Sequence, residues 1–188
     1  MIESIVHAIN ETLRREVFAG VSKLNLFGIS SLVHKKKEGK LITLPAIAQA
    51  GEFIYPSPDD GSTLIAYHTI AGRTYENSPV KGYGDQRLVK DIAEMQMIVY
   101  ANLREIGRSA VQLQEAVAAA MPQTLIVQVA GTNVQAHVSL RGAELDSLKV
   151  FRQQYPQTDF FLAPEDGFFS LRYRITAEYD QRCLRCCL

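Results

Sequence analysis

Three cysteines crowd the end of the chain, Cys183, Cys186 and Cys187 in "QRCLRCCL". A structural zinc site takes four ligands, usually as two pairs on separate turns. Here Cys183 and Cys186 form one C-x-x-C pair, Cys187 adjoins it, and the sequence has no second pair. The histidines His7, His34, His68 and His137 are scattered, with no H-x-x-x-H spacing. An intermolecular metal site or disulfide stands against a surface tail of free thiols near a subunit boundary. The ligand arithmetic favours the tail, so no metal and no cofactor is expected.

Other chemical spacings are weaker. "GYGDQR", Gly82 to Arg87, contains G-x-G but lacks the strand-to-helix setting and the following Lys-Ser/Thr of a phosphate loop. Ser78 and Lys81 match S-x-x-K by letters. That chemistry needs the serine to open a helix so that the lysine one turn later reaches its oxygen, and Gly82 and Gly84 would break such a helix. The pairs Asp59-Asp60 and Glu165-Asp166 sit beside glycine in loops, where adjacent carboxylates face water. No G-x-S-x-G, H-E-x-x-H or dinucleotide fingerprint occurs. The sequence therefore does not read as an enzyme.

One charge cluster stands out: Lys35, Lys36, Lys37 and Lys40 in "KKKEGK". It reads either as a solvated hairpin tip or as a contact with an acidic partner, a neighbouring subunit or a nucleic-acid backbone. The last would need clustered positive charge and no base readout. Arg182 and Arg185 add a smaller basic spot.

Composition bounds these readings. The 188 residues suffice for one domain with a real core. Lys plus Arg and Asp plus Glu are 20 each, which argues against binding nucleic acid through an overall basic excess. It also removes the net self-repulsion that opposes assembly. No apolar run reaches the roughly 18 residues of a membrane span. "MIESIVHAINETLRRE" lacks the basic and continuous apolar regions of a secretion signal. Synthesis in a reducing cytoplasm is the expectation.

The elements that must position these residues follow from periodicity. Ile2, Ile5, Val6, Ile9, Leu13 and Val17 recur at steps of three and four, predicting an amphipathic helix that Gly20 ends. Leu32-Val33 and Leu41-Leu44 flank a Glu38-Gly39 turn and predict a β-hairpin with a basic tip; Pro45 ends its second strand or places it at an edge. "GEFIYPSPDDGS" reads as a loop, "TLIAYHTIAG" as a core strand, and "RTYENSPVKGYGDQR" as a long loop or hairpin tip. Leu88 to Tyr100 predicts a strand antiparallel to Leu64 to Ile70. It runs into a helix capped by Asn102, with Glu105 at the capping-box spacing, an apolar face of Ile106, Ala110, Leu113, Val117 and Met121, and a stop at Pro122. Two short strands around Ala130 to Asn133 and a short helix bearing Leu145, Leu148 and Phe151 come next. Finally Phe169, Leu171, Tyr173, Ile175, Ala177 and Tyr179 alternate with polar residues, a strand of roughly 40 Å expected to overhang its own sheet.

The sum is an α+β fold: an antiparallel sheet with helices packed on one face, plus an extended β-hairpin. A single domain is expected over 1–188, with a hairpin and loop arm at 20–60, the core at 62–180 and a Cys-rich tail at 181–188. On the wet face of the closing strand, Arg172, Arg174, Thr176 and Glu178 form a candidate inter-subunit strand.

The order of an N-terminal helix, a variable hairpin, the strand "STLIAYHTIAG", a polar excursion, the strand-helix unit "KDIAEMQMIVYANLREIGRSAVQLQEAVAAAM" and the closing strand "FFSLRYRITAEYD" resembles that of the tail-terminator, or tail-completion, proteins of tailed bacteriophages. The likeness covers about Ser62 to Asp180 and the first helix, in order and spacing. The segment Gln123 to Gly167 and the Cys-rich tail depart from the family pattern. The resemblance implies a structural virion protein, made in the host cytoplasm, that forms a homo-oligomeric ring. Such rings, commonly of six subunits, sit at the head-proximal end of the tail tube, contacting tail-tube and head-connector proteins. DNA passes through the lumen without sequence-specific binding, and no membrane is involved. Another connector or ring adaptor of the portal-tail region, or a cellular α+β protein-binding module, is the alternative.

Overall fold

The computed structural model describes residues 1–37, 39–49, 51–58, 61–79, 87–129, 131–156, 163 and 165–180. The apolar stripe of the first segment forms helix α1 (Ile2–Glu16), with Glu3 in its first turn and Arg14 and Arg15 in its last, the charge order that suits the helix dipole. Strands β1 (Leu24–Lys37) and β2 (Lys40–Gln49) make the expected hairpin. Gly39 takes the positive φ of 81° that closes its tip. Pro45 stays inside β2, opposite Leu32. It is tolerated there because the short strand β3 (Glu52–Ile54) covers the far side of β2 only from Ile47 to Gln49.

Strands β4 (Leu64–Pro79) and β5 (Arg87–Asn102) pair antiparallel along their whole length, from Leu64 opposite Ala101 to Pro79 opposite Arg87. The polar stretch Arg73 to Pro79 is therefore strand rather than loop. Beyond β5 the sequence predicts one helix, and the structure has two, α2 (Leu103–Ile106) and α3 (Ala110–Ala120). Gly107 separates them at a φ of 68°, a left-handed value that ends the first helix. Asn102 caps α2 as expected, but the reciprocal capping box belongs to Ser109 and Gln112, which start α3. Strands β6 (Thr124–Val129) and β7 (Thr132–Glu144), helix α4 (Ser147–Gln154) and strand β8 (Asp166–Asp180) follow.

The eight strands form one mostly antiparallel sheet in the order β3-β2-β1-β4-β5-β8-β7-β6, with β1 parallel to β4. The fold is α+β. Helix α1 contacts both β1 and β6, the first and last strands of the run β1-β4-β5-β8-β7-β6 within this sheet. The sheet thus curls around α1, which lies against its otherwise open ends. Ile5, Val6, Ile9 and Leu13 are fully buried on this concave side, with Leu113 and Val117 of α3 beside them. Burial of each such side chain contributes about 1.5–3 kcal/mol.

Two further expectations need correction. The helices do not all share one face: Val150 and Phe151 of α4, with the following Tyr155, pack on the opposite face against Ile65, Tyr67, Ile98, Tyr100 and Phe168. The reason lies in the central strands, where adjacent residues such as Met97-Ile98-Val99-Tyr100 and Phe168-Phe169 are all buried. A strand apolar on both sides needs cover on both sides. Nor does β8 overhang. It lies inside the sheet, with Asp166 to Asp180 paired to β5 and Ser170 to Glu178 paired to β7.

Candidate functional site

The parallel contact between β1 and β4 lasts only from Leu24 opposite Leu64 to Ile29 opposite His68. From Ser30 onward β1 pairs with β2 on its other side, while β4 runs on with β5. Because β1 and β4 are parallel, the two hairpins project in the same direction and form a fork. Ser30 marks the crotch, its hydroxyl donating to the His68 carbonyl at 3.3 Å. On the inner sides of the fork no described strand pairs with β1 from Ser30 to Lys37 or with β4 from Thr69 to Pro79. Unpaired strand edges of this length invite pairing with another chain.

The lysine cluster lies at the end of one prong. Lys37 pairs with Lys40 at the tip. Lys35, Lys36 and Lys40 are exposed, and the Lys35 ammonium stands 4.2 Å from the centre of the Tyr55 ring. This cation–π contact ties one lysine to the base of its own arm. Besides charge, the arm shows water an unusual amount of apolar surface: Leu32 is 53% exposed, Leu41 63% and Phe53 59%.

Arg172, Arg174, Thr176 and Glu178 lie side by side on the face of β8 away from α1. Arg174 binds Glu94 of β5 at 2.6 Å, and Lys90 approaches Glu178 at 3.9 Å. The Arg172 guanidinium lies above Gly142 of β7, where a Cβ would meet it at 3.1 Å. Since both edges of β8 are already hydrogen-bonded, these residues are not available as an inter-subunit strand through the backbone. Any contact they make is through side chains.

Two polar constellations in the core escaped the sequence reading. His68 is fully buried. Its Nε2 faces Asn10 Oδ1 at 2.9 Å and its Nδ1 faces the Tyr173 hydroxyl at 2.7 Å. Asn10 donates from Nδ2 to the Phe27 carbonyl at 2.8 Å. That bond turns the Asn10 oxygen toward the ring, so Nε2 carries the hydrogen and Tyr173 donates to Nδ1. The imidazole is neutral, and burial lowers its pKa to about 3. Burial likewise pushes the Tyr173 hydroxyl well above its ordinary range. The network joins α1, β1, β4 and β8, and His68 and Tyr173 are fully buried within it. Its geometry is that of a fold-specifying lock.

The second is Asp91, whose side chain is fully buried on the α1 side of β5. Arg73 of β4 meets it with two bonds, Nε at 2.9 Å and Nη2 at 2.6 Å, and lies 4.9 Å from the Tyr75 ring centre. The hydrogen bond to Asp91 raises the Arg73 pKa further. An Asp in phase with Ala93 and Met95, and a His in phase with Leu64 and Ala66, were the available signals: polar residues on the apolar phase of a strand.

The remaining sequence candidates do not converge. Ser78 is in β4 opposite Leu88, in a strand rather than at the start of a helix, which removes the geometry that S-x-x-K chemistry needs. Asp166 accepts from the Tyr100 hydroxyl at 2.9 Å and closes its own turn through the Ala163 amide at 2.8 Å. Lys81, residues 82–86, Asp59, Asp60, Arg182, Arg185 and the three cysteines fall outside the described residues. Among the described residues, no group of three or more His, Cys, Asp or Glu side chains is placed to hold a metal ion, and no helix is long and apolar enough to cross a membrane. A groove of about 340 Å³ separates α1 from β1 and β2, lined in part by Glu3, His7, Asn10, Glu11 and Arg14. Glu11 and Arg14 already pair with each other at 3.5 Å. Comparison with protein-family models and with curated protein sequences finds no match for this chain.

Proposed function

We propose that the chain is a structural virion protein of a tailed phage or prophage, an oligomeric ring subunit of the tail or neck that acts as tail terminator or head–tail joining protein. The observation that carries this reading is the fork. A body with α1 against β1 and β6 extends two hairpins from one side, and among the described residues no strand pairs with eight residues on the inner edge of β1 or eleven on that of β4. Backbone groups left open over such lengths are a liability in a monomer and are satisfied by a neighbour in a closed assembly. The order of elements and the central closing strand β8 are in keeping with the resemblance that the sequence carries. In this role the ring meets tail-tube protein on one side and head-connector protein on the other. DNA crosses the lumen, and the protein reads no sequence.

The test is the mass of the purified, reduced chain across a concentration range, with electron microscopy of any large species. Rings of about six or more subunits with a central hole are the expected result. A strict monomer at every concentration counts against the proposal.

A further inference from the structure

One face of the β1–β2 arm carries Leu32, His34 and Lys36 on β1 and Leu41 on β2, in register and all exposed. The same face ends at the arm's base in Pro45 and Ile47, which are buried. A hairpin tip that only needed solubility would show polar residues here. A tip made to grip phosphates would not place two leucines, 53% and 63% exposed, along its contact face. Leucines flanking a lysine suit a protein surface that is apolar at its centre and acidic around it.

The charge of the chain indicates which protein that is. The stretch 35–40 holds four lysines and one glutamate, a local charge of +3. The whole chain is neutral, with 20 basic and 20 acidic residues, so the remainder has sixteen basic against nineteen acidic residues, or −3. The tip is therefore opposite in net charge to the rest of another copy, and Lys36, opposite Leu41, sets one of its charges on the leucine face. It is also repelled by another tip, which disfavours a symmetric arm-to-arm contact.

We propose that the arm is the chain's self-association element: Leu32, Lys36 and Leu41 of one copy dock on the body of the next, head to tail. This rests on the ring reading and adds to it the donor surface and its direction. A head-to-tail contact uses different patches on the two partners, so it propagates until the ring closes. The fold places the donor patch on a projecting element, away from the core that holds α1.

The test uses the full-length chain and the double variant Leu32→Ser with Leu41→Ser. Both side chains are exposed, so the variant is expected to keep the wild-type circular dichroism spectrum and melting temperature. Lys36→Glu serves as a second variant with the apolar face intact. Sedimentation velocity is expected to show at least a tenfold rise in the concentration needed for assembly for either variant. Wild-type assembly is expected to weaken as salt is raised.

Mixing supplies the direction. The leucine variant keeps its body surface, so added to wild type it is expected to accept one arm and pass on none, leaving short oligomers. Wild-type rings that form unchanged in the presence of the variant would overturn the head-to-tail contact. Assembly of both variants at wild-type concentrations would overturn the arm as donor and leave the ring reading standing. A wild-type chain that stays monomeric at all concentrations would remove both.

Discussion

At the scale of single residues, the buried polar groups make the sharpest claims. His68 is neutral in the folded state with a pKa lowered to about 3, against about 6.5 when exposed. Below pH 6.5 the unfolded chain binds a proton that the folded chain does not. Stability from this group is therefore full above pH 6.5 and declines as pH falls toward 3, by up to about 1.4 kcal/mol per pH unit. Urea unfolding at pH 7, 6 and 5 is expected to show this slope, and His68→Gln to flatten it relative to wild type. A variant with the wild-type slope would show that another group carries it. Tyr173→Phe removes the donor to Nδ1 and leaves a buried acceptor unmet, at a cost of about 1–3 kcal/mol. At the other polar site, Arg73→Ala strands the Asp91 carboxylate. Arg73 is 36% exposed, so water re-enters in part and the loss falls near the low end for a broken buried pair, about 3 kcal/mol. Pairing Arg73→Met with Asp91→Leu, which leaves no buried polar group without a partner, is expected to recover most of it in a double-mutant cycle.

At the scale of elements, Gly107 separates two accounts of the segment after β5. In a continuous helix, Gly107→Ala would stabilise by up to about 1 kcal/mol. With Gly107 at a φ of 68° between two helices, the same change forces alanine into the left-handed region, and thermal unfolding is expected to show a loss of about 1–2 kcal/mol. Ser109→Ala, which removes the α3 cap, is expected to cost about 1 kcal/mol. The sequence did contain S-x-x-Q at Ser109 and Gln112, but the apolar residues on either side keep helical phase, and phase alone does not see a cap between them. Elsewhere phase was enough. The α1 stripe, the β1–β2 turn at Gly39 and the β4–β5 pairing were legible from local pattern; a helix at α4 was legible too, but not its face, since Leu145 precedes it and is exposed with Leu148, while Val150 and Phe151 are buried. Whether Arg73 to Pro79 is loop or strand depends on β5 opposite. The position of β8 inside the sheet depends on β7, which is read from sequence only as a short strand. The fork was illegible for the same reason, since it arises where a parallel contact between distant segments stops. The lysine tip was visible in the sequence. The exposure of Leu32 and Leu41 was not, because an apolar residue in a strand carries no mark of which side has cover.

At the scale of the molecule, the fork separates what folds the chain from what the chain presents. The two core clusters draw on the arm only through residues near its base: Phe27, Leu44 and Ile47 on one side of the sheet, Leu24, Leu26 and Ile29 on the other. Beyond Val33 and Leu44, which are directly opposite each other, the hairpin supports itself. Replacing residues 34–43 with Asn-Gly joins these two positions by a two-residue turn of the type that suits the strand twist. The shortened protein is expected to unfold within about 1 kcal/mol of wild type, because none of the described residues lost is buried, Ile42 and Thr43 being half-buried and the rest exposed, and the loop that must be closed is shorter. Its assembly is expected to fail, since the lysines and Leu41 leave with the tip. Thermal unfolding and sedimentation on one preparation check both halves. A large fall in stability would mean that the distal arm belongs to the folding core, and the loss of assembly could then be assigned to unfolding. Retained stability with retained assembly would place the interface elsewhere on the body, with the edge of β4 from Thr69 to Pro79, which no described strand pairs with, as the next candidate. Retained stability with lost assembly is the outcome that the division between a self-sufficient body and a presenting arm requires.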